Sequence, residues 1–431
     1  MATLAINGGN PIRTAPWIRW PQADERALEL VTEVLRSGHL SDDGPMERQF
    51  AADFASFCTA AHGVCVMNGT VSLRVALEAA GVQAGDEVIV PGLTWVTTAG
   101  AVVDINAVPI FVDVDPESLC MDPAAAAAAI TDRTRAIIPV HLSCAVTDMD
   151  AVLEVCRRHN TSRPDDERIW VIEDCAHSHG AQWRLPDGSV RGTGSMGDFG
   201  SYSFQSSKSL SSGDGGIIVT SDEELADRCW SLRNVGRARH PGQSPGYGNN
   251  YRLTELQAAV MRAGLERLPA EMEHRQRNAD YLTRGIADLP GLRPLARDPR
   301  LVRQAFYGYI IRYDAAAFDG VPKATFLSAL KAEGIFCAPG YLPVYEQELW
   351  HIDRRRFPFA SRYDPAADDY DPPHCPVAEQ ASHNEVIALP QPLLLGLQSD
   401  MDDVLAALTK LVEHRAELVS GPSMVLTGVG F

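Results

Sequence analysis

The sequence predicts an α/β protein built on a mostly parallel sheet, followed by a smaller α+β part. Three observations predict it. Between about residues 60 and 220, apolar runs of four to six residues alternate with amphipathic helical stretches. Such alternation marks βαβ units whose strands are buried on both faces. Small or polar residues ("NGT", "GLTW", "EDC", "SSK") follow several of the runs, on the side where open α/β sheets bind ligands. After about residue 235 the alternation gives way to long helix and isolated strands.

Taken in order, "HGVCVM" (62–67) is the first strand and runs through "NGT" into the helix "VSLRVALEAAG". "DEVIVP" (86–91) is the second, leading through "GLTW" to the helix "VTTAGAVVDIN". "VPIFVDV" (108–114) and "TRAIIPVHL" (134–142) follow, the latter with the helix "DMDAVLEVCRRH", and then "ERIWVIEDC" (167–175). "DFGSYSFQ" (198–205) and "GGIIVTSD" (215–222) complete the set. Beyond them, 253–286 reads as one long helix, 305–313 as a strand, and 323–335 and 400–415 as helices. The expected division is a large domain over 1–260, with an N-terminal arm, and a small α+β domain over 261–431. The Pro- and Asp-rich stretch 355–376 is expected to be an exposed loop.

With 431 residues, 45% hydrophobic and 22% charged, the chain can bury a large core. A net charge of −18 argues against nucleic acid as a partner, since phosphate repulsion would oppose binding. "PAAAAAAI" (123–130) is helix-like but far too short to span a bilayer. The first residues lack the basic and apolar regions of a signal peptide, so a cytoplasmic location is expected. Nine cysteines form no zinc-spaced pair; they read as small buried hydrophobes, with no metal expected.

The chain has only four lysines, Lys208, Lys323, Lys331 and Lys410, and otherwise uses arginine. Lys208 follows a strand and sits among serines and glycines in "SYSFQSSKSLSSGDGG". A solvated loop lysine would look the same. A nucleophilic amine, however, must be lysine, because guanidinium stays protonated. Asp174 ends the run "IWVIED", where it either caps the next helix or faces a cationic ring nitrogen in a dry site. In "MNGTVSL", the amides of Gly69 and Thr70 open a helix and suit a phosphate. Trp95, at the equivalent place after the next strand, is either core or a plane for an aromatic cofactor.

The order of these features resembles the DegT/DnrJ/EryC1/StrS sugar aminotransferases, enzymes of the fold-type I pyridoxal-phosphate class. The likeness runs from "GGNPIR" (8–13) through "PIFVDVDPESLCMDP", "EDCAHSHGA" and "GDFGSYSFQSSKSLSSGDGG" to "LRNVGR" and "GNNYRLTELQAAV". The resemblance implies that Lys208 anchors pyridoxal 5′-phosphate as a Schiff base and moves the proton. It implies that Asp174 pairs with the pyridine nitrogen, that His177 lies near the ring's phenolic oxygen and that Trp95 stacks on the ring. Gly69, Thr70 and the Ser203 hydroxyl would hold the phosphate. Asn250 would reach the phosphate of a neighbouring subunit, which implies a homodimer with shared sites.

The amino donor it implies is an amino acid, L-glutamine in the branch most alike, and the acceptor a keto-cyclitol of aminoglycoside assembly. Nucleotide-linked keto sugars and the aromatising aminohydroxybenzoate synthases are the alternatives. Members acting on nucleotide sugars usually carry a histidine where this chain has Tyr345, in "APGYLPVYEQELW". Two segments depart from the family pattern, "NTSRPDDER" (160–168) and "LPDGSVRGTGS" (185–195); both are expected as surface loops.

Overall fold

In a computed structural model, residues 3–41, 43–360 and 373–420 are described. The central sheet has seven strands: β1 (His62–Val66), β2 (Glu87–Pro91), β3 (Val108–Val112), β4 (Thr134–Ile137), β5 (Trp170–Asp174), β8 (Phe199–Ser203) and β9 (Gly216–Thr220). Their spatial order is β1-β9-β8-β5-β4-β2-β3. The pairs β2/β3, β2/β4, β4/β5 and β5/β8 are parallel, while β9 runs antiparallel to both neighbours. Every expected strand of this region forms.

β4 is shorter than the run 134–142 suggests. Pro139 has no N–H to give the ladder, so regular pairing stops at Ile137. The neighbour still uses the Pro139 carbonyl, which accepts from Asp174 N at 2.9 Å, and pairing resumes when His141 N donates to Asp174 O at 3.1 Å. Asp174 is thereby fixed by main-chain bonds on both sides of the break.

Helices cover both faces. Helix Gly69–Ala79 buries Leu73, Val75, Ala76 and Leu77, and its start lies against the end of β8. A Cβ on Gly69 would sit 2.5 Å from Ser203 Cβ, a distance no side chain tolerates, so only glycine permits this approach. Helix Glu255–Ile286, closed at its start by a capping box of Thr254 and Gln257, is the long helix read from the sequence. It passes unbroken through residues 260 and 261.

A second sheet, β10 (Leu292–Pro294), β12 (Gly308–Tyr313) and β13 (Val386–Pro390), is antiparallel throughout. Helices Lys323–Ala332 and Gln398–Glu413 contribute Phe326, Leu330, Met401, Leu408 and Leu411 to the same core.

The segment 185–195 is not simply a surface loop. It contains β7 (Val190–Gly192), which pairs with β6 (Gln182–Arg184), and β6 pairs in turn with β11 (Leu301–Arg303). The turn at 186–189 and Arg191 are exposed, whereas Gly192, Thr193 and Gly194 are buried. The reason is close packing, since a Cβ on Gly192 would lie 2.5 Å from Cys58 O. Segment 160–168 closes its helix and continues as an exposed turn around Asp165–Glu167. Of the expected loop 355–376, residues 361–372 lie outside the described residues.

Candidate active site

A cavity of about 380 Å³ opens at the carboxyl ends of the central strands. Gly69, Thr70, Trp95, Asp174, His177, Ser203 and Lys208 all line it. These seven residues come from four strand ends, which is the convergence their order along the chain implies. Asn250 does not line it; it is exposed and forms an isolated bridge with Asn234.

Lys208 is 8% exposed. Its loop is held by three bonds: Lys208 N donates to Gln205 O at 2.9 Å, Trp20 Nε1 to Lys208 O at 3.0 Å, and Ser209 Oγ to Phe306 O at 3.3 Å. Gly213, at φ +88°, takes the left-handed conformation that turns the chain back toward β9. The Lys208 ammonium stands 4.2 Å from the centre of the Tyr307 ring. Burial pulls its pKa below the usual lysine range, against the opposing pull of Tyr307 and Asp174. The neutral amine is therefore more accessible here than on a solvated lysine.

Asp174 is buried and accepts two hydrogen bonds, from Thr98 Oγ1 at 2.9 Å and from Ala176 N at 3.1 Å. Burial pushes its carboxyl above the usual range, while those donors and the charge of Lys208 pull it down. The Ala176 bond is the Asx turn that a capping residue makes, and the carboxylate still lines the cavity.

His177 lies flat against Tyr307, ring centres 3.8 Å apart and planes 14° apart, with Tyr341 beyond at 5.9 Å. Ser143 N donates to His177 Nδ1 at 3.2 Å, which leaves the hydrogen of the neutral ring on Nε2, 3.4 Å from the Tyr341 hydroxyl. Burial, reinforced by the Lys208 charge, pushes its pKa well below the usual histidine range. His177 is thus a neutral donor with one face against the Tyr307 ring and its Nε2 edge toward the Tyr341 hydroxyl.

The helix start at Gly69 and the end of β8 form a cradle. Asn68 caps the helix, its Oδ1 accepting from Val71 N at 2.9 Å. The Gly69 and Thr70 amides precede any intrahelical acceptor, beside the Ser203 hydroxyl. His179 Nε2 donates to Ser203 O at 2.9 Å and fixes that end of β8.

Thr98, Tyr307, Tyr341 and His179 were not singled out from the sequence. Thr98 carried a weak signal, a polar residue just ahead of the small and apolar run 99–103 of the helix Thr97–Asp104. Tyr307 and Tyr341 carried none, because they reach the site only through the packing of the second sheet. Tyr345 does not line the cavity. Its hydroxyl donates to Glu379 Oε1 at 2.7 Å and its ring packs edge-on against Phe111.

Behind Asp174, the fully buried Glu173 holds the turn after β7. Its oxygens accept from Gly194 N, Met196 N and Gly197 N at 2.7–2.8 Å and lie 3.0 Å from His141 Nε2. Cys175 lies close enough to complete a metal-like trio with Glu173 and His141, but His141 Nδ1 already accepts from Thr147 N at 3.2 Å. The cluster works as a hydrogen-bond knot. Glu173→Gln would point an NH₂ at N–H donors, and we expect a loss of about 2–4 kcal/mol of stability in urea denaturation.

Residues 21–409 match the DegT/DnrJ/EryC1/StrS aminotransferase family. The chain is 42% identical to an L-glutamine:2-deoxy-scyllo-inosose aminotransferase of Streptoalloteichus tenebrarius, covering 96% of this chain and 99% of that protein. It is 40% identical to the L-glutamine:scyllo-inosose aminotransferase of Streptomyces griseus, covering 97% and 99%. Among solved structures, DesI in the presence of its TDP-sugar product superposes with a TM-score of 0.80 at 29% identity, covering 97% of this chain and 98% of that one. A 3-amino-5-hydroxybenzoic acid synthase superposes with 0.79 at 27% identity, covering 93% and 100%. The architecture is the fold-type I fold of these aminotransferases. With a match over nearly the whole chain and relatives at 40% identity or more, this protein belongs to the DegT/DnrJ/EryC1/StrS aminotransferase family.

Proposed function

We propose that the protein is a pyridoxal-phosphate-dependent aminotransferase that moves the amino group of L-glutamine to a keto-cyclitol. The observation that carries this reading is the buried, depressed-pKa Lys208 sharing one cavity with the buried Asp174, in a chain 40–42% identical to enzymes named for glutamine and scyllo-inososes.

The residues fit the cofactor. The Gly69–Ser203 cradle, which a Cβ would fill, suits a phosphate at a helix start. Trp95 offers a plane at the cavity wall, and Asp174 offers a buried anion for a cationic nitrogen. Bound there, pyridoxal phosphate supplies an aldehyde for Lys208 and a ring that stores the electron pair released at the donor's α-carbon.

The chain's own residues do the rest. Lys208 Nζ, once freed by the incoming amine, would carry the donor's α-proton to the cofactor and, in the reverse half-reaction, a proton from the cofactor to the acceptor's carbon. Asp174, oriented by Thr98 and Ala176, holds negative charge where positive charge must persist. Neutral His177 donates from Nε2 without adding charge. Asn250, exposed on this chain, would serve the site of a second copy in a homodimer.

Tyr345 supports a cyclitol over a nucleotide-linked sugar, because at the position where a histidine is expected for the latter this chain turns its side chain to Glu379. No described helix is long and apolar enough to cross a membrane; we take the enzyme to act in the cytoplasm, on small molecules. The chain divides, in this reading, into a cofactor-holding part and a smaller part that supplies Tyr307 and Tyr341.

The test is direct. Purified protein is given L-glutamine labelled with ¹⁵N at the α-amino group, with scyllo-inosose, 2-deoxy-scyllo-inosose or a TDP-linked keto sugar as acceptor. Mass spectrometry should find the label in an aminocyclitol. Label appearing only in the amino sugar would move the assignment to the nucleotide-linked branch, and none in any acceptor would remove it.

A further inference from the structure

Beside the Lys208 cavity lies a second one of about 320 Å³, walled by Trp17, Trp20, Ser207, Tyr307, Phe336 and Gln391, among others. Ser207 and Tyr307 line both cavities. Under its wall are two side chains that are each 1% exposed, Gln391 and Arg275. Arg275 donates twice to Gln391 Oε1, from Nε at 3.0 Å and from Nη2 at 2.7 Å. Those two bonds fix which way the amide faces: its oxygen is toward the guanidinium, so its Nε2 points away.

Gln391 Nε2 has no hydrogen-bond partner, and neither does Arg275 Nη1. Two buried donors left unmade are costly unless a ligand or water meets them. The charge behind them is real. Burial lowers the Arg275 pKa, but only to about 10, so the guanidinium is protonated at neutral pH. Its sole ion-pair partner among the described residues is Glu271, at 3.3 Å, and the Trp20 ring lies 5.4 Å away. The unmet chemistry is that of an acceptor with negative charge.

Tyr307 stands in the wall of both cavities. Gln391 N donates to Tyr307 O at 3.1 Å, and the Tyr307 ring sits under the Lys208 amine. We propose that Gln391, oriented and polarised by Arg275, recognises the carboxylate of the amino donor, the amine of which is presented to Lys208 along Tyr307. This rests on the reading of the chain as an amino-acid-dependent aminotransferase. It makes Gln391 a specificity-determining residue for the donor half-reaction and leaves the ketone half-reaction without need of it.

Gln391→Glu tests it with least disturbance. The new carboxylate still accepts both Arg275 bonds, so the buried guanidinium keeps its partner, but the free donor becomes an acceptor and repels an incoming carboxylate. The holoenzyme is titrated with glutarate, an unreactive mimic of the donor's carbon frame, following tryptophan fluorescence from Trp17 and Trp20. Wild type should saturate, and the variant should bind about 10- to 100-fold more weakly. The KM for glutamine should rise by a similar factor while the KM for the ketone and the cofactor absorbance stay unchanged. An equal affinity of both proteins for glutarate, or no binding by wild type, overturns the proposal and leaves water as the partner of Gln391. Failure of wild type to use any amino acid would instead overturn the functional reading, which the fluorescence titration does not depend on.

Discussion

Lys208→Arg should lower amino transfer by at least about 10³-fold, and Lys208→Ala by as much. The arginine variant is the more informative. It keeps a positive charge in the loop that Trp20, Gln205 and Ser209 hold in place, and it can keep a cation above the Tyr307 ring. It removes only what an amine does that a guanidinium cannot: lose its proton, attack a carbonyl and hand the proton on. Borohydride should lock the cofactor to wild type and to neither variant, which a mass measurement of the intact protein reads directly. A small amine such as methylamine should restore part of the turnover of Lys208→Ala, because truncation leaves room where the side chain stood. An arginine variant retaining a tenth of wild-type activity would show that Lys208 holds charge and does no chemistry.

The parts of this site that the sequence revealed are those that lie at strand ends. Asp174, Ser203 and Lys208 each follow an apolar run closely enough to be placed by counting, and a parallel sheet brings such ends to one edge whatever the connections do. Gly69 and Thr70 were legible for a related reason, as amides opening a helix directly after a strand; the close approach of Gly69 to Ser203 was not. The residues that escaped notice reach the site by other routes. Tyr307 precedes β12 of the second sheet, and Tyr341 sits in an irregular segment more than 30 residues further on. Gln391 follows β13 and is explained only by Arg275, 116 residues away. Nothing local announces such pairs, because the information is in the packing of the two sheets.

The fold shows the same division. All seven central strands were read from apolar runs, yet the run 134–142 hid the break at Pro139. The segment 185–195 hid a strand for a different reason. Its "DG" turn was plain, but polar residues around Val190 gave no alternation, and the pairing with β6 is supported by the approach of Gly192 to Cys58.

Asp174→Asn should separate what the carboxylate does for the reaction from what it costs the fold. The variant is isosteric. Its amide oxygen can still accept from Ala176 N, and the Thr98 hydroxyl, 2.9 Å from Oδ2, can rotate to accept from the new NH₂. What disappears is a negative charge in a buried place, opposite a nitrogen that must stay positive, and preorganised charge of that kind is worth a great deal in a dry site. We expect kcat to fall about 10³-fold, or roughly 4 kcal/mol, with weaker cofactor retention. Stability should move the other way. Folding raises the Asp174 pKa above its ordinary 3.8, with burial the leading cause. The folded chain therefore holds this proton more tightly than the unfolded one, and as the pH rises past the ordinary carboxylate range the ionised group lowers stability. Where the carboxyl is ionised the cofactor-free protein bears that cost, and the asparagine variant does not. Thermal unfolding of the cofactor-free proteins at pH 7 should show the variant as stable as wild type or more so, with the gap closing toward pH 4. Lower stability together with lower activity would mean that Asp174 serves the fold through Thr98 and Ala176, and that the charge has no separate part in the reaction.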